Sequence, residues 1–469
     1  MSSERALPAG LLSALRAALH PGAVIDDRDR LVAYEADALT TSRGLPDAAV
    51  FPADRDELIR VLQLLQEAQV PFVPRGAGTG LAGGAVADGG VLICTTRMHR
   101  ILEVDPEGQT ALVEPGVLTD EISAAALAHG LRYLPDPASA AACTIGGNVA
   151  TNSGGPHCLK HGVTTDHVAA LEVILPDGTP LVVRRGEEGG LDLAGIFIGS
   201  EGTLGVISRI RVNLAPLAND VRTFLALFDS VADAGRAVGQ IFEAGVVPVA
   251  LELVDRETIA VVEASVFAAG LPLDTEAALV VECEGDPEET AEDLAAAESA
   301  VLACGAREVR HAHDEAERLA IWQARKKAYG ALGRLAPDVF VQDAAVPRSS
   351  LPDLLPRFAE IARRHDLRLA NFFHAGDGNV HPNLLFDRRD ADQVARVQAA
   401  GAEIMALCVE AGGTITGEHG VGSDKVQHME LVFGVEELDT MRAVRTSTDR
   451  AGLANPGKLL PEGHVGETA

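Results

Sequence analysis

The chain has 469 residues, 39 of them basic and 68 acidic, for a formal net charge of −29. That length exceeds what one hydrophobic core usually organises and predicts two domains, while 47% apolar residues exclude intrinsic disorder. The negative field excludes nucleic acid and anionic lipid faces as partners, and any anionic small substrate must find local cations at its site.

No apolar run approaches the roughly 20 residues that span a bilayer, so no transmembrane segment is expected. The opening MSSERALPAGLLSALRAALH mixes Glu4, Arg5 and Arg16 with leucine and alanine, which predicts a short amphipathic helix instead of a secretory signal and a cytoplasmic protein. The six cysteines, Cys94, Cys143, Cys158, Cys283, Cys304 and Cys408, are scattered without a CxxC pair. They suggest neither a disulfide framework nor an iron–sulfur centre, and they are expected to be buried thiols.

From about residue 50 the pattern alternates: VFP, a helical DELIRVLQLLQEAQ, then a strand PFVP running straight into RGAGTGLAGG. GVLICTT, ILEVD, TALVEP, VAALEVILPDG and VISRIRVNL are further predicted strands, and ISAAALAHG a predicted helix. A break falls near LAPLAND, residues 214–220. Beyond it FLALFD, a helix over 230–243, VVPVALELVD, ALVVECEG and a helix near 287–303 repeat a strand–helix–strand rhythm, which suits a second sheet covered by helices on one face. WQARKKAYG, 322–330, is predicted helical, and the tail GGTITGEHGVG to NPGK is glycine-rich again.

In RGAGTGLAGG, Gly78, Gly80 and Gly83 have the spacing GxGxxG after a strand, with Glu103 twenty residues beyond Gly83. A dinucleotide turn of that kind must open a helix, yet Gly83, Gly84, Gly89 and Gly90 follow, each costing about 1 kcal/mol relative to alanine in a helix. No GK[ST] closes a phosphate loop either. What the segment does offer is successive backbone N–H groups able to converge on an anion, beside Arg75. CTIGGNVATNSGG and GSEGTLGVIS supply two more glycine-rich loops, so the first half suits a large phosphate-bearing cofactor threaded along backbone.

RGAGTGLAGG, PDPAS, CTIGGNVATNSGGPHCLKHG and GSEGTLGVIS together resemble the flavin-binding half of the FAD-linked oxidases of the vanillyl-alcohol-oxidase type. Within that group the chain resembles the FAD-binding catalytic subunits of bacterial glycolate oxidases, in the D-2-hydroxy-acid dehydrogenase branch, from about Tyr34 to Lys458. The resemblance implies an α+β fold: a two-part FAD-binding domain over 1–217, a cap or substrate domain with a ferredoxin-like antiparallel sheet over 218–412, and a C-terminal segment, 413–469, returning to the FAD domain and active site. It also implies that Arg75, Gly76, Ala77, Gly78, Thr79, Gly80 and Leu81 wrap the FAD pyrophosphate. Pro135, Asp136, Ser139, Cys143, Thr144, Gly146, Gly147, Asn148, Gly154, Gly155, Gly162, Glu201, Gly202, Ile207 and Asn455 would line the rest of the cofactor. Relatives with covalent flavin carry a histidine where this chain has Thr79, so the FAD is expected to be dissociable.

NFFHAGDGNVHPNLLF predicts a strand, a tight glycine turn and a second strand, with His374 and His381 on neighbouring strand ends, close enough to share an ion. GEHGVG adds Glu418 and His419 on another glycine-framed loop. Spacing alone leaves metal ligation and ordinary hydrogen-bonded histidines both open. By resemblance to the matching HxGDGNxH and GEHG motifs, His374, His381 and Glu418 bind a divalent metal (zinc, manganese or iron) and His419 is the general base. Arg325 matches an arginine that grips the substrate carboxylate and Asn383 a polar substrate contact, while Lys326 and Lys327 are expected to form a solvated basic face.

The implied reaction is oxidation of glycolate or a similar small D-2-hydroxy acid to the 2-oxo acid, with hydride passing to flavin N5. Relatives acting on 2-hydroxyglutarate place a lysine near the position of Val341, and FVQDAAVP has none, which favours a short monocarboxylate. His161 replaces a tyrosine usual in its motif. A second flavin subunit and an iron–sulfur subunit are the electron acceptors the resemblance suggests, with peripheral membrane association through them. D-lactate or D-2-hydroxyglutarate dehydrogenase, a non-catalytic flavin subunit, and a flavoenzyme without net oxidation are the alternatives.

Overall fold

The computed structural model describes residues 7–186 and 190–462. Its chain separates into two compact units: one holds residues up to Ser153, Val163–Pro216 and His419 onward, the other Gly154–Gly162 and Leu217–Glu418. Two short pieces therefore change sides: nine residues of the first glycine-rich half, 154–162, and the stretch leading to Glu418, both belonging to the second unit.

The first unit is built on two sheets. Strands β1 (Val24–Ile25), β2 (Ala48–Val50), β3 (Phe72–Arg75) and β4 (Val91–Cys94) lie in the order β1-β2-β4-β3, with β4 parallel to both β2 and β3. The helix Arg55–Ala68 joins β2 to β3; Asp54 caps it by accepting from the N–H of Asp56 and Glu57, and its Leu58, Val61, Leu62 and Leu65 are buried at helical spacing. The amphipathic helix predicted at the start is present as Leu11–Ala18 and packs in the same core through Leu11 and Leu15; residues 1–6 of that expectation lie outside the described residues. The other sheet is antiparallel, β5 (Ile101–Asp105), β6 (Thr110–Val113), β8 (Val168–Ile174), β9 (Pro180–Arg184) and β10 (Val206–Asn213), in the order β5-β6-β10-β8-β9. A two-stranded pair completes the unit, β7 (Leu131–Arg132) with β11 (Ala215–Pro216).

No helix follows β3: the glycine-rich stretch stays in turns and bends until β4 begins, as its glycines require. CTIGGNV departs from expectation. Its glycines predict a loop, but Ile145–Thr151 is a helix, because Ile145 and Val149, four residues apart, both enter the core beneath the five-stranded sheet and outweigh the two intervening glycines.

In the second unit, β12 (Asp220–Phe228), β13 (Ala250–Asp255), β14 (Ala277–Gly285) and β15 (Glu308–His311) lie in the order β15-β12-β14-β13, every neighbour antiparallel. Numbered along the chain from β12, that order is 4-1-3-2, the split βαβ arrangement of a ferredoxin-like sheet. The helices Val231–Glu243 and Pro287–Ala303 supply its two crossovers. Helices cover both faces of this sheet, not the single face that the strand–helix–strand rhythm predicts. Phe224–Phe228 and Ala277–Glu284 are buried without alternation, since Arg256–Glu263 and Ala328–Leu332 pack on the opposite face. WQARKKAYG is also not one helix: Glu315–Lys326 ends, Lys327 adopts φ −98° and ψ 0°, and Ala328–Leu332 starts anew.

Beyond β13 the sheet continues through β18 (Arg368–His374), β19 (Asn379–Val380) and β17 (Ala344–Ala345). Strand β18 serves two ladders: Phe372–His374 pair with β13, while Arg368–Asn371 pair with β20 (Pro382–Phe386), which in turn pairs β16 (Asp338–Val341). Among the described residues no helix is long and apolar enough to cross a membrane.

Candidate active site

Two histidines end up together because β18 and β19 form a hairpin around AGDG, with His374 opposite Asn379. Gly378 turns the chain at φ +75°, and a Cβ there would lie 2.1 Å from the Val346 carbonyl oxygen, so the bend needs a residue without a side chain. His381 follows β19, and its ring centroid comes 5.3 Å from that of His374, nearly perpendicular.

Each imidazole is held by its far nitrogen. His374 Nδ1 lies 2.6 Å from Glu252 Oε1, and His381 Nδ1 lies 3.2 Å from the Gln342 carbonyl oxygen. With Nδ1–H donating to an acceptor, Nε2 is the atom each ring presents, and both Nε2 atoms are 3.1 Å from Glu418 Oε1. Glu418 is delivered by the loop after Ile415, where Asp343 organises the backbone: its Oδ1 accepts the Glu418 N–H at 3.1 Å and its Oδ2 the Thr416 hydroxyl at 2.6 Å.

The donor set fits a divalent cation. Two imidazole nitrogens and a carboxylate oxygen lie within 4.8 Å of one another, each ring is oriented from behind, and such a set leaves coordination positions open. Charge agrees: Glu252, Asp343 and Glu418 bring three carboxylates, two of them fully buried, against the guanidinium of Arg325, and the Asp377 carboxyl lies close enough to act on Glu252, Glu418 and His374. Burial alone would lower the His374 pKa, but the Glu252 and Glu418 carboxylates hold it well above its ordinary value. Burial would likewise raise Glu418, and His374 with His381 hold it well below the usual carboxylate range.

Arg325 lies under the same sheet face. Its Nε is 2.6 Å from Glu252 Oε2 and its guanidinium stacks 5.2 Å from the Phe372 ring centre. Asn383 is fully buried and its amide donates to the carbonyls of Ala370 (3.0 Å) and His381 (2.6 Å), so the structure places it as a brace for the hairpin, with Oδ1 unsatisfied. His419 is the residue after Glu418 and is half-buried. Glu252 and Asp343, which orient His374 and the Glu418 loop, carry no motif that sequence reasoning picks out. A signal existed for the first, a lone glutamate in the otherwise apolar run VALELV; Asp343 lies in FVQDAAVP with nothing to distinguish it.

In the first unit the flavin motifs meet around backbone. Arg75 is buried, and its guanidinium donates to the carbonyls of Ala36 (2.8 Å) and Ala85 (3.1 Å), which makes it a brace of the glycine loop as well as a nearby charge. Thr144 Oγ1 is buried without a partner and stands where a Cβ on Gly76 would fall, while a Cβ on Gly80 would meet nothing within 4 Å. Asn148 and Cys143 are tied together through the Thr119 hydroxyl, at 2.8 and 3.2 Å. Ser139 stands in the loop before them, its carbonyl accepting from Cys143 N–H at 2.8 Å, and Ile207 on β10 pairs with Val173 on β8. Glu201, at φ +51°, accepts the N–H groups of Val421 and Gly422 at 2.7 Å each; Asn455 donates to the Gly84 and Glu201 carbonyls at 3.0 and 2.7 Å. An unsatisfied buried hydroxyl beside a loop with open space fits a phosphate-bearing group held by backbone and hydroxyl donors. Gly154, Gly155 and Gly162 belong to the second unit.

Comparison with known proteins agrees with these features. The family described as "FAD linked oxidases, C-terminal domain" matches residues 217–459, and "FAD binding domain" matches 46–184. The chain is 42% identical over 457 residues to the glycolate oxidase subunit GlcD of Escherichia coli, covering 97% of this chain and 91% of that one. Identity is 40% to the GlcD subunit of Bacillus subtilis, covering 92% of both chains. It is 32% to a D-lactate dehydrogenase of Anaerostipes hadrus, covering 88% and 89%. The solved structure of p-cresol methylhydroxylase with substrate bound has the same fold, with a TM-score of 0.80 at 16% identity and 96% of each chain covered. Two family matches that together run from the glycine loop to the tail, and relatives aligned over nearly the whole length, show that this chain is a member of the FAD-linked oxidases.

Proposed function

We propose that the protein oxidises glycolate, or a similarly small D-2-hydroxy acid, to the 2-oxo acid with non-covalent FAD as acceptor. The observation that carries this reading is the convergence of His374 Nε2, His381 Nε2 and Glu418 Oε1 on one point, in a chain related to glycolate oxidase subunits and D-lactate dehydrogenases. A divalent ion held by these three would bind the hydroxyl and carboxylate of a 2-hydroxy acid and make the hydroxyl more acidic, and FAD accepts two electrons and the α-hydrogen.

The chain's own residues supply the remainder. Arg325 offers a planar guanidinium to the substrate carboxylate. His419 takes the hydroxyl proton at a ring nitrogen. Arg75 to Leu81, Thr144, Asn148, Glu201 and Asn455 shape the flavin cradle, and Thr79 lacks the imidazole through which the covalent relatives hold flavin. Val341 stands in FVQDAAVP, which carries no cation for a distal carboxylate, so a monocarboxylate is favoured over 2-hydroxyglutarate. Two relatives are named as subunits, and six scattered cysteines without a cluster motif leave onward electron transfer to partners, here a second flavin subunit and an iron–sulfur subunit.

Anaerobic bleaching of the flavin absorbance by glycolate, D-lactate and D-2-hydroxyglutarate, with metal analysis of the same sample, tests the proposal. Glycolate is expected to bleach fastest; a preference for D-2-hydroxyglutarate would overturn the assignment to a small monocarboxylate. His419→Ala is expected to abolish bleaching while FAD stays bound, and undiminished bleaching would remove His419 as the base.

A further inference from the structure

Glu252 has no motif around it, yet the two side chains proposed to hold the metal and the substrate carboxylate meet on it. Strand pairing brings it there: Glu252 on β13 stands directly opposite His374 on β18, and Val254 opposite Phe372. The carboxylate is completely buried, and its two oxygens face different partners: Oε1 is hydrogen-bonded with His374 Nδ1 at 2.6 Å, and Oε2 forms an ion pair with Arg325 Nε at 2.6 Å whose alignment is not that of a hydrogen bond. Arg325 is itself 7% exposed and stacks on Phe372, two residues before His374 on the same strand face.

We propose that Glu252 is a positioning residue that serves both metal affinity, through His374, and substrate-carboxylate binding, through Arg325, an inference that rests on the metal and Arg325 assignments made above. Its Oε1 accepts the proton of His374 Nδ1 and so fixes the tautomer that presents a lone pair at Nε2; a carboxylate in that place also raises the ligand's basicity. Its Oε2 holds the Arg325 guanidinium by charge against the Phe372 ring, beside the place where its planar fork would meet a carboxylate. A single buried anion thereby positions both groups. A buried ion pair serving stability alone would require neither the second oxygen on a ligand histidine nor the placement of both partners on one sheet face.

The test uses the full-length, flavin-loaded protein as parent, Glu252→Gln and Glu252→Asp. The aspartate keeps the charge but is one methylene shorter, so it cannot reach both partners. Mn²⁺ affinity, measured by competition with a chromogenic chelator, is expected to fall 10- to 100-fold in both variants. KM for glycolate is expected to rise at least tenfold at saturating metal. Arg325→Lys should raise KM while leaving Mn²⁺ affinity within about twofold of the parent. Variants that keep flavin and native circular dichroism but bind Mn²⁺ and glycolate like the parent would overturn the proposal, as would an unfolded Glu252→Asp, which would mark the pair as purely structural. A parent that binds no divalent ion would instead sink the metal assignment itself, an outcome visible before any variant is made.

Discussion

At the scale of single residues, two glycines five positions or fewer from Arg75 have opposite reasons to be glycine. A Cβ on Gly76 would fall 2.2 Å from Thr144 Oγ1, a small buried side chain with little room to move. Gly76→Ala should therefore destabilise the apoprotein by about 1–3 kcal/mol, the usual cost of overpacking. Around Gly80 a new methyl meets nothing within 4 Å and the backbone is not left-handed. Gly80→Ala should leave the apoprotein's urea midpoint unchanged or slightly raised, since alanine restricts the unfolded chain. If the space beside Gly80 is where the flavin phosphates lie, that same variant should lose flavin during gel filtration. A measured flavin-to-protein ratio equal to the parent's would show that the open space serves something else. The two glycines look alike in RGAGTGLAGG; only their surroundings separate a packing constraint from a binding one.

At the scale of elements, strand β14 holds the short segment 154–162 through two glutamates two residues apart on one face. Glu282 lies 3.3 Å from His157 Nε2 and accepts from Thr223, Trp322 and Arg318, while Glu284 lies 2.6 Å from His161 Nε2 and its carbonyl accepts from Lys160. The histidine standing in place of a tyrosine at 161 is thus a partner of Glu284. Burial would raise the Glu282 pKa, but hydrogen bonds from His157, Thr223 and Trp322 bring it down to about 2 from an ordinary 4.5. The unfolded chain then binds more protons than the folded one between those values, so this contribution is full above pH 4.5 and is lost as pH falls toward 2. For a side chain only 2% exposed the loss is on the order of 3 kcal/mol. Glu282→Gln should lower the melting temperature at pH 7 and flatten the acid limb of a stability–pH curve; an unchanged limb would show that other carboxylates control it. Such pairings also mark the boundary of what was legible in sequence. The helices at Arg55–Ala68 and Pro287–Ala303 and the strand Ile101–Asp105 follow from local periodicity and capping, and HAGDGNVH announces its hairpin through glycine chemistry. Glu252, Asp343 and the His161–Glu284 contact depend on which strands pair in which register, across more than 100 residues in two of the three cases, and no local pattern encodes that. The helix at Ile145–Thr151 was hidden for a related reason, because core burial overrode the low helix propensity of its glycines.

At the scale of the whole molecule, an anionic substrate must approach a protein of net charge −29. A bound divalent ion changes that total only to −27, and Arg325 is already paired with Glu252, so its charge is nearly cancelled beyond a few ångströms. The long-range field should therefore remain repulsive to a monocarboxylate, while the attraction that holds it acts only at contact. Screening separates the two ranges, because the Debye length shrinks from about 30 Å at 0.01 M salt to about 8 Å at 0.15 M. Raising salt across that interval should remove much of the repulsion and leave the contact interactions in place. KM for glycolate is then expected to fall roughly twofold with kcat unchanged, measured with an uncharged electron acceptor at saturating concentration. A KM that rises with salt would mean that local cations dominate the field outside the site, and that the acidic surface faces away from the path the substrate takes.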